Sequence, residues 1–289
     1  MSKDSWIKGK TCMITGANTG IGKETARQIA ALGAQVIMVC RNQEKGEQAK
    51  EEIIQTTDNQ DIELLICDLA SLKDVKRFTE EFLQTHANLH VLINNAGVFH
   101  MKRTTTQDGY ESTFAVNYLA HYYLTELLLP LLKRSFPSRI INLSSNIHRT
   151  FKIKMKDPLL EKGYMGQLAY SNSKTAMVLF TNKLVRELEG TKVAVNSVNP
   201  GHVKTQMTTF GLSKWFRKIA DIIPTRSIEQ SAKTSVYAAS SNDIAGITGK
   251  YFTDCKESKT AKMTKDTKNQ DFLWELSKKL VTEALAKQD

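Results

Sequence analysis

The sequence predicts an α/β chain, a single domain over residues 1–289 built as one doubly wound parallel sheet with helices on both faces. Three observations carry that prediction. Short β-branched apolar runs alternate with longer amphipathic stretches from Thr11 to Phe252, without a Pro- or Gly-rich linker or an internal repeat. The first apolar run stops at a glycine-rich turn that opens a helix. At 289 residues, 41% hydrophobic and 24% charged, the chain holds enough apolar material for a sizeable core.

The first strand is Thr11-Cys12-Met13-Ile14-Thr15, and Gly16-Ala17-Asn18-Thr19-Gly20-Ile21-Gly22 follows it. An amphipathic helix then runs from Lys23 to Leu32, closed by Gly33. Gly16 permits the tight turn, and Gly20 lets backbone N–H groups approach a pyrophosphate at the helix N-terminus. Gly22 lets the helix pack closely on the strand. Asn18, Thr19 and Ile21 share this turn and count with the glycines as dinucleotide contacts. Glycines also make plain turns, but a place between strand and helix favours the phosphate reading. Ala34 to Cys40 reads as the second strand, with Arg41 directly after it. An acid ending this strand would take the adenosine ribose hydroxyls, whereas an arginine accommodates a 2′-phosphate. Cys40 stands where the acid is expected, and a guanidinium suits a phosphate dianion. This favours NADP(H) over NAD(H), with Lys45 as a second cation; the alternative is an ordinary surface arginine.

A charged helix spans Gln43 to Thr57, and Ile62 to Cys67 forms the third strand. Asp68 and Leu69 follow, placed to meet the adenine; Asp68 either bonds its amino group or caps the turn. Ser71 is the N-cap of a helix reaching about His86. The fourth strand begins at His90 and ends in Asn94-Asn95-Ala96-Gly97, whose small residues leave room for a ligand at the carboxyl edge of the sheet. Asp108 to Leu132 reads as two helical segments broken near Pro130, with Asn117 between apolar stretches. Arg139 to Leu143 is the fifth strand and ends at Ser144-Ser145. Asn142-Leu143-Ser144 matches a glycosylation acceptor, which means nothing inside a buried strand. A basic loop over 146–168 leads into a helix carrying Tyr170-Ser171-Asn172-Ser173-Lys174. Lys192 to Val198 is the sixth strand, followed by Asn199-Pro200-Gly201-His202-Val203-Lys204-Thr205. Residues 206–224 hold Met207, Phe210, Leu212, Trp215 and Phe216, which suit a lid over an apolar substrate or packing against the core. A helix from Ile228 to Ala239, a last short strand at Gly249 to Phe252 and an amphipathic helix over 270–286 complete the chain.

Tyr170 and Lys174 are four apart on a helix and so share a face, with Cβ atoms ~6 Å apart. An ammonium held beside a phenol stabilises the phenolate and lowers the tyrosine's pKa. The phenol then serves as a proton donor or acceptor near neutral pH.

Composition excludes several classes. Cys12, Cys40, Cys67 and Cys255 are scattered, without a C-x-x-C pair or a His/Cys cluster, and read as free thiols in a reducing compartment rather than disulfides or metal ligands. No signal peptide or membrane-length apolar run is seen, so a cytoplasmic location is expected. The net charge of +10 is dispersed and interleaved with acids. It reads as a solvated surface rather than a nucleic-acid site.

Thr15-Gly16-x-x-x-Gly20-Ile21-Gly22, Asn94-Asn95-Ala96-Gly97, Asn117, Ser145, Tyr170-x-x-x-Lys174 and Pro200-Gly201 stand in the order of a known family. Over roughly residues 8–255 the chain resembles the short-chain dehydrogenases/reductases, which have a Rossmann-type fold. Gly20 to Ala26, Cys40-Arg41-Asn42, Lys45-Gly46-Glu47 and the spacing of Ser145 from Tyr170 look like its retinol-dehydrogenase-like branch. The resemblance implies that Tyr170 is the general acid in reduction and the base in oxidation. It implies that Lys174 binds the nicotinamide ribose, Ser145 bonds the substrate oxygen and Asn117 holds a water in a relay to Lys174. Asn95, Ala96 and Gly97 would line the adenosine-side ribose, and Pro200, Gly201, Val203 and Thr205 the nicotinamide. The implied activity is NADP(H)-dependent interconversion of an alcohol with an aldehyde or ketone, on an apolar retinoid-, steroid- or lipid-derived substrate. A homodimer or homotetramer, paired through the Tyr170 helix and the one before it, is implied by resemblance alone. Branch members often carry an N-terminal anchor, whereas the first strand here begins about ten residues in. His148 either touches substrate or is a plain loop histidine. The alternative function is a non-catalytic NADP(H)-binding regulator, against which the intact Ser145, Tyr170 and Lys174 stand.

Overall fold

The structure is a computed structural model that describes residues 5–201 and 226–287. Val203, Thr205 and the segment 206–224 lie outside the described residues. Strand β1 (Thr11–Thr15) leads into helix α1 (Gly20–Ala31), followed by β2 (Gln35–Cys40), α2 (Gln43–Thr57), β3 (Ile62–Ile66), α3 (Leu72–Thr85) and β4 (Val91–Asn94). The next helical stretch opens with α4 (Ser112–Phe114), passes through a π turn (Ala115–Leu119) and continues as α5 (Ala120–Arg134). Then come β5 (Ser138–Leu143), α6 (Gly166–Glu187), β6 (Val193–Asn199), α7 (Ile228–Ser240), β7 (Tyr251–Thr253), β8 (Lys256–Glu257) and α8 (Thr267–Ala286).

Among the described residues the strands form one sheet in the order β3-β2-β1-β4-β5-β6-β7-β8. All neighbours pair parallel except the antiparallel β7–β8. The winding reverses at β1, which pairs with β2 on one side and β4 on the other. In open parallel sheets that reversal makes a crevice at the carboxyl ends of the strands, where ligands bind. Strands β1, β4, β5 and β6 are buried along their length, and β2 all but its first residue, as strands covered by helices on both faces must be. One core lies between the sheet and α3, α5, α6 and α8, with Phe78, Phe114, Tyr118, Phe180 and Trp274. The other lies under α1, α2 and α7, with Ile14, Ile29, Val36, Ile53 and Val236.

Three features depart from the sequence reading. Helix α1 begins at Gly20 rather than Lys23, so Gly20 and Gly22 lie inside its first turn. The helix does not break near Pro130, which lies exposed within α5 while Leu128, Leu131 and Leu132 on the opposite face are fully buried. Burial of that face outweighs the missing proline N–H. The interruption comes instead at the π turn, where Asn117 sits. Strand β8 escaped notice because Lys256 and Glu257 are exposed and carry no apolar pattern. The acceptor-like Asn142 is fully buried: it takes a bond from Asn94 Nδ2 at 2.8 Å and gives one to Thr181 Oγ1 at 2.9 Å.

Helix α8 lies across α5 and α6. Trp274 meets Tyr122 edge-on at 5.2 Å and stacks on Phe180 at 6.0 Å. Tyr118 and Ser277 share a hydroxyl hydrogen bond of 2.7 Å, and Tyr110 donates to the Leu280 carbonyl at 2.7 Å. The helix pair named for dimer pairing is therefore covered in part by the chain itself. No described helix is long and apolar enough to cross a membrane. Because Trp274 is buried among aromatics, Trp274→Ala is expected to lower the unfolding free energy by about 3 kcal/mol, the usual cost of a large aromatic truncation. Urea denaturation checks this, and a loss below about 1 kcal/mol would mean that α8 is not a structural part of the core.

Candidate active site

The turn after β1 is shaped by close approach. Gly16 has φ +67°, and a Cβ there would stand 3.0 Å from Ala96 Cα. A Cβ on Gly22 would stand 2.2 Å from the Gly16 carbonyl oxygen, so the helix can start this close only with glycine. Asn95 Nδ2 spans the gap, donating to the Thr15 carbonyl at 2.6 Å. Thr19, the N-cap of α1, gives no side-chain cap, and no acid stands in the first turn. The first backbone N–H groups are thus left for an anion, in the positive field of the helix end. That donor set fits a pyrophosphate, with Asn18, Thr19, Gly20 and Ile21 in the turn that would hold it.

The ends of β2 and β3 share this edge. Arg41 is exposed and has no hydrogen bond or ion pair among the described residues, while Cys40 is buried and donates to the Asn42 carbonyl at 3.3 Å. Asn42 caps α2 by accepting from Lys45 N at 2.8 Å, which puts the exposed Lys45 one helical turn from Arg41. Asp68 Oδ1 accepts from Ala70 N at 3.0 Å, a bond that caps the turn, and Leu69 is buried beside it.

The other half of the site is built on α6. Tyr170 and Lys174 share a face, with Nζ 5.6 Å from the phenol ring centroid. Nζ donates to the Leu143 carbonyl at 3.0 Å, and Ser144 Oγ donates to the Lys174 carbonyl at 2.8 Å, so the end of β5 is tied to this turn of α6. Ser145 caps the short 3-10 turn Asn146–Arg149, its Oγ accepting weakly from Ile147 N at 3.4 Å. Ser171 Oγ donates to the Ile147 carbonyl at 2.9 Å, which holds that turn against the residue next to Tyr170. Burial pushes the Lys174 ammonium down to about 8 and the Tyr170 phenol up to about 12. The lowered tyrosine pKa expected from the spacing is therefore not what this geometry gives. The amine is bonded to a carbonyl rather than to the phenol, and loss of hydration dominates both groups.

Asn117 is held from both ends of its amide: Oδ1 accepts from Val98 N at 2.6 Å, and Nδ2 donates to the Val98 carbonyl at 3.0 Å and to Ser173 Oγ at 3.1 Å. A Cβ on Gly97 would lie 3.3 Å from Asn117 Oδ1 and 3.7 Å from Lys174 Nζ, so the bare glycine keeps a small space open between them. Gly201, at φ +85°, donates its N–H to Asn199 Oδ1 at 3.2 Å, after Pro200 at the end of β6. His148 is 1% exposed, donating from Nδ1 to the Ser145 carbonyl at 2.6 Å and accepting from Ala261 N at 3.2 Å. Sequence reasoning missed His121 and gave Thr15 no role, although both are fully buried and 2.9 Å apart. One signal was present: His121 follows Asn117 by four residues and so shares its helical face.

Fold and site together define a nicotinamide-dinucleotide oxidoreductase class, with a phosphate-ready helix end and a Tyr–Lys–Ser group on one sheet edge. The profile of the short chain dehydrogenases matches residues 10–214. Retinol dehydrogenase 12 of Mus musculus is 42% identical over 277 residues, covering 95% of this chain and 87% of that one. Retinol dehydrogenase 14 of the same organism is 42% identical over 289 residues, covering 95% and 86%. A solved protein from Mycobacterium paratuberculosis superposes with a TM-score of 0.78 at 31% identity, covering 96% of this chain and 94% of its own. The chain belongs to the short-chain dehydrogenase/reductase family, in the retinol-dehydrogenase-like branch.

With Lys174 depressed to about 8 from 10.5, the folded protein binds fewer protons at this site than the unfolded chain between those values. Its contribution to stability therefore rises with pH across that window. Urea denaturation of wild type and Lys174→Met at about pH 7 and about pH 10 isolates it from other titrating groups. The difference should move in favour of the wild type at the higher pH, and a constant difference would refute the depression.

Proposed function

We propose that this chain is an NADP(H)-dependent oxidoreductase that interconverts an alcohol with an apolar aldehyde or ketone, working as a single domain in the cytoplasm. The observation that carries the reading is one sheet edge holding both an uncapped, glycine-built helix end and the Ser145, Tyr170 and Lys174 group. When bound, the nicotinamide supplies or accepts hydride at its C4. In reduction, Tyr170 gives a proton to the substrate oxygen that becomes the hydroxyl; in oxidation it takes that proton. With its pKa raised to about 12 by loss of hydration, Tyr170 holds its proton near neutral pH. Ser145 bonds the same substrate oxygen. Lys174, with one proton on Leu143 and others free, binds the nicotinamide ribose hydroxyls and supports the phenolate that forms. Asn117 holds a water in the space Gly97 leaves open, in a relay to Lys174. Asn95, Ala96 and Gly97 line the adenosine-side ribose, and Pro200 and Gly201 the nicotinamide.

An apolar substrate is supported by Phe99, whose ring meets the Tyr170 ring edge-on at 5.8 Å. The relatives named retinol dehydrogenases support a retinoid or a similar lipid-derived carbonyl. The free, buried Cys12 and Cys67 suit a reducing compartment. Any homodimer or homotetramer contact is assigned away from the part of the α5–α6 face that α8 covers. Arg41 and Lys45, at the end of β2 where an acid would select NAD(H), support the 2′-phosphate reading.

Tyr170→Phe is expected to cut turnover of a retinal or a medium-chain aldehyde by about 10²-fold or more. Its NADPH dissociation constant should stay near the wild-type value. Nicotinamide absorbance follows turnover, and unchanged turnover would remove Tyr170 from the mechanism. Arg41→Ala should weaken NADPH binding by about tenfold or more, the size of one charge-assisted contact, and leave NADH nearly unchanged. Fluorescence titration with both dinucleotides decides it, because equal losses would refute 2′-phosphate recognition.

A further inference from the structure

We propose that His121 is a positioning residue: its buried imidazole aims the Thr15 hydroxyl so that the dinucleotide turn is locked to the π turn carrying Asn117. The assignment follows from counting donors and acceptors. His121 Nδ1 lies 3.1 Å from the Asn117 backbone carbonyl, which can only accept, so Nδ1 carries the proton. The ring is fully buried, and burial, with a smaller contribution from the Lys174 cation, keeps it neutral, with its pKa down to about 4. Nε2 is then a bare acceptor, and Thr15 Oγ1, 2.9 Å away, donates to it. With its proton committed there, the Thr15 oxygen turns its two lone pairs toward two donors, Asn95 N at 2.9 Å and Ala96 N at 3.0 Å. Every capacity of that hydroxyl is used.

The consequence reaches the ligand edge. Asn95 and Ala96 open the segment that packs against Gly16, and Asn117 faces Gly97 and Lys174. Remove the imidazole, and the acceptor left for the Thr15 proton is the Ile93 carbonyl, at 3.5 Å and the limit of a hydrogen bond. The hydroxyl would lose its orientation, and the Asn117 carbonyl would lose its side-chain donor. Both turns loosen together although His121 touches neither substrate nor dinucleotide.

The inference rests on the dinucleotide reading above. Its test is a double-mutant cycle on the full chain with His121→Phe, Thr15→Val and the pair, read by NADPH fluorescence titration, steady-state kinetics and melting temperature. Each single change should weaken NADPH about tenfold, the scale of a buried polar group left unsatisfied, and the pair should be little worse than either. The loss should appear in NADPH affinity and KM, with the KM for the carbonyl substrate unchanged. His121→Gln, which keeps an acceptor for Thr15, and Thr15→Ser, which keeps the hydroxyl, should both bind NADPH within about twofold of wild type. These two conservative variants keep the test intact if His121→Phe fails to fold; a tenfold loss in either overturns the proposal. Losses that multiply in the pair, or a His121→Phe protein that melts lower but binds NADPH normally, overturn it as well. A wild type that binds neither NADPH nor NADH overturns the dinucleotide reading and this inference with it; a wild type that binds, matched by His121→Phe, overturns this inference alone.

Discussion

The hydrogen bond from Asn95 Nδ2 to the Thr15 carbonyl, 2.6 Å long, closes the sheet where its winding reverses. A reversal pulls the chain away in opposite directions after β1 and β4, and a crevice opens between them. The crevice keeps its shape only if polar groups on its two walls meet across it, since an unpaired buried group would cost about 1–3 kcal/mol. Asn95 meets the wall of β1 from the side of β4, and the Thr15 hydroxyl returns the contact to Asn95 N and Ala96 N. Gly16 and Gly22 are the corollary: with the walls this close, a Cβ at either position would run into backbone atoms.

A second constraint is electrostatic. The amine of Lys174 sits deep in the protein, with a carbonyl as its bonded partner rather than a carboxylate. Burying a cation without a counter-charge is costly, and the depression of its pKa to about 8 expresses that cost. The uncapped N-terminus of α1 is the same kind of feature, because its amides have no side-chain partner. Each is a local loss of stability at a place where an anion or a hydroxyl would restore it. Such conflicts between local and global preference mark functional sites, whereas the remainder of the fold is consistent across levels.

The interruption of the helix before α6 belongs to the same logic. A continuous α-helix from Ser112 to Arg134 would satisfy its backbone more regularly, yet a π turn occurs over Ala115–Leu119. Single π turns tend to accompany functional sites. Here the turn coincides with the point where Asn117 is bonded to Val98 and Ser173 by its side chain and to His121 by its carbonyl. Tertiary bonds made by one asparagine and one histidine thus accompany the altered helical register. Aromatic packing of Trp274, Tyr122 and Phe180 holds the outer side of the same helix pair.

Much of this was legible in the amino-acid order because it depends on local periodicity and on residue types with few roles. The glycine spacing, the β-branched runs, the Ser71 cap and the i,i+4 pair of Tyr170 and Lys174 each follow from backbone geometry within a few residues. Charge placement at Arg41 was readable for the same reason. Strand β8 was not, since two exposed residues leave no pattern, and neither was the continuation of α5 through Pro130, which burial of its far face decides. The direction of the tyrosine's pKa also lay beyond the sequence: spacing gives proximity to a cation, but depth of burial sets which effect wins. Thr15 and His121 stand 106 positions apart, and only folding could show that one hydroxyl and one imidazole share a proton's direction. The sequence by itself determined the fold class and the family, because those rest on local rules; tertiary structure decided protonation, mutual aim and the part played by His121, because those depend on what surrounds each group.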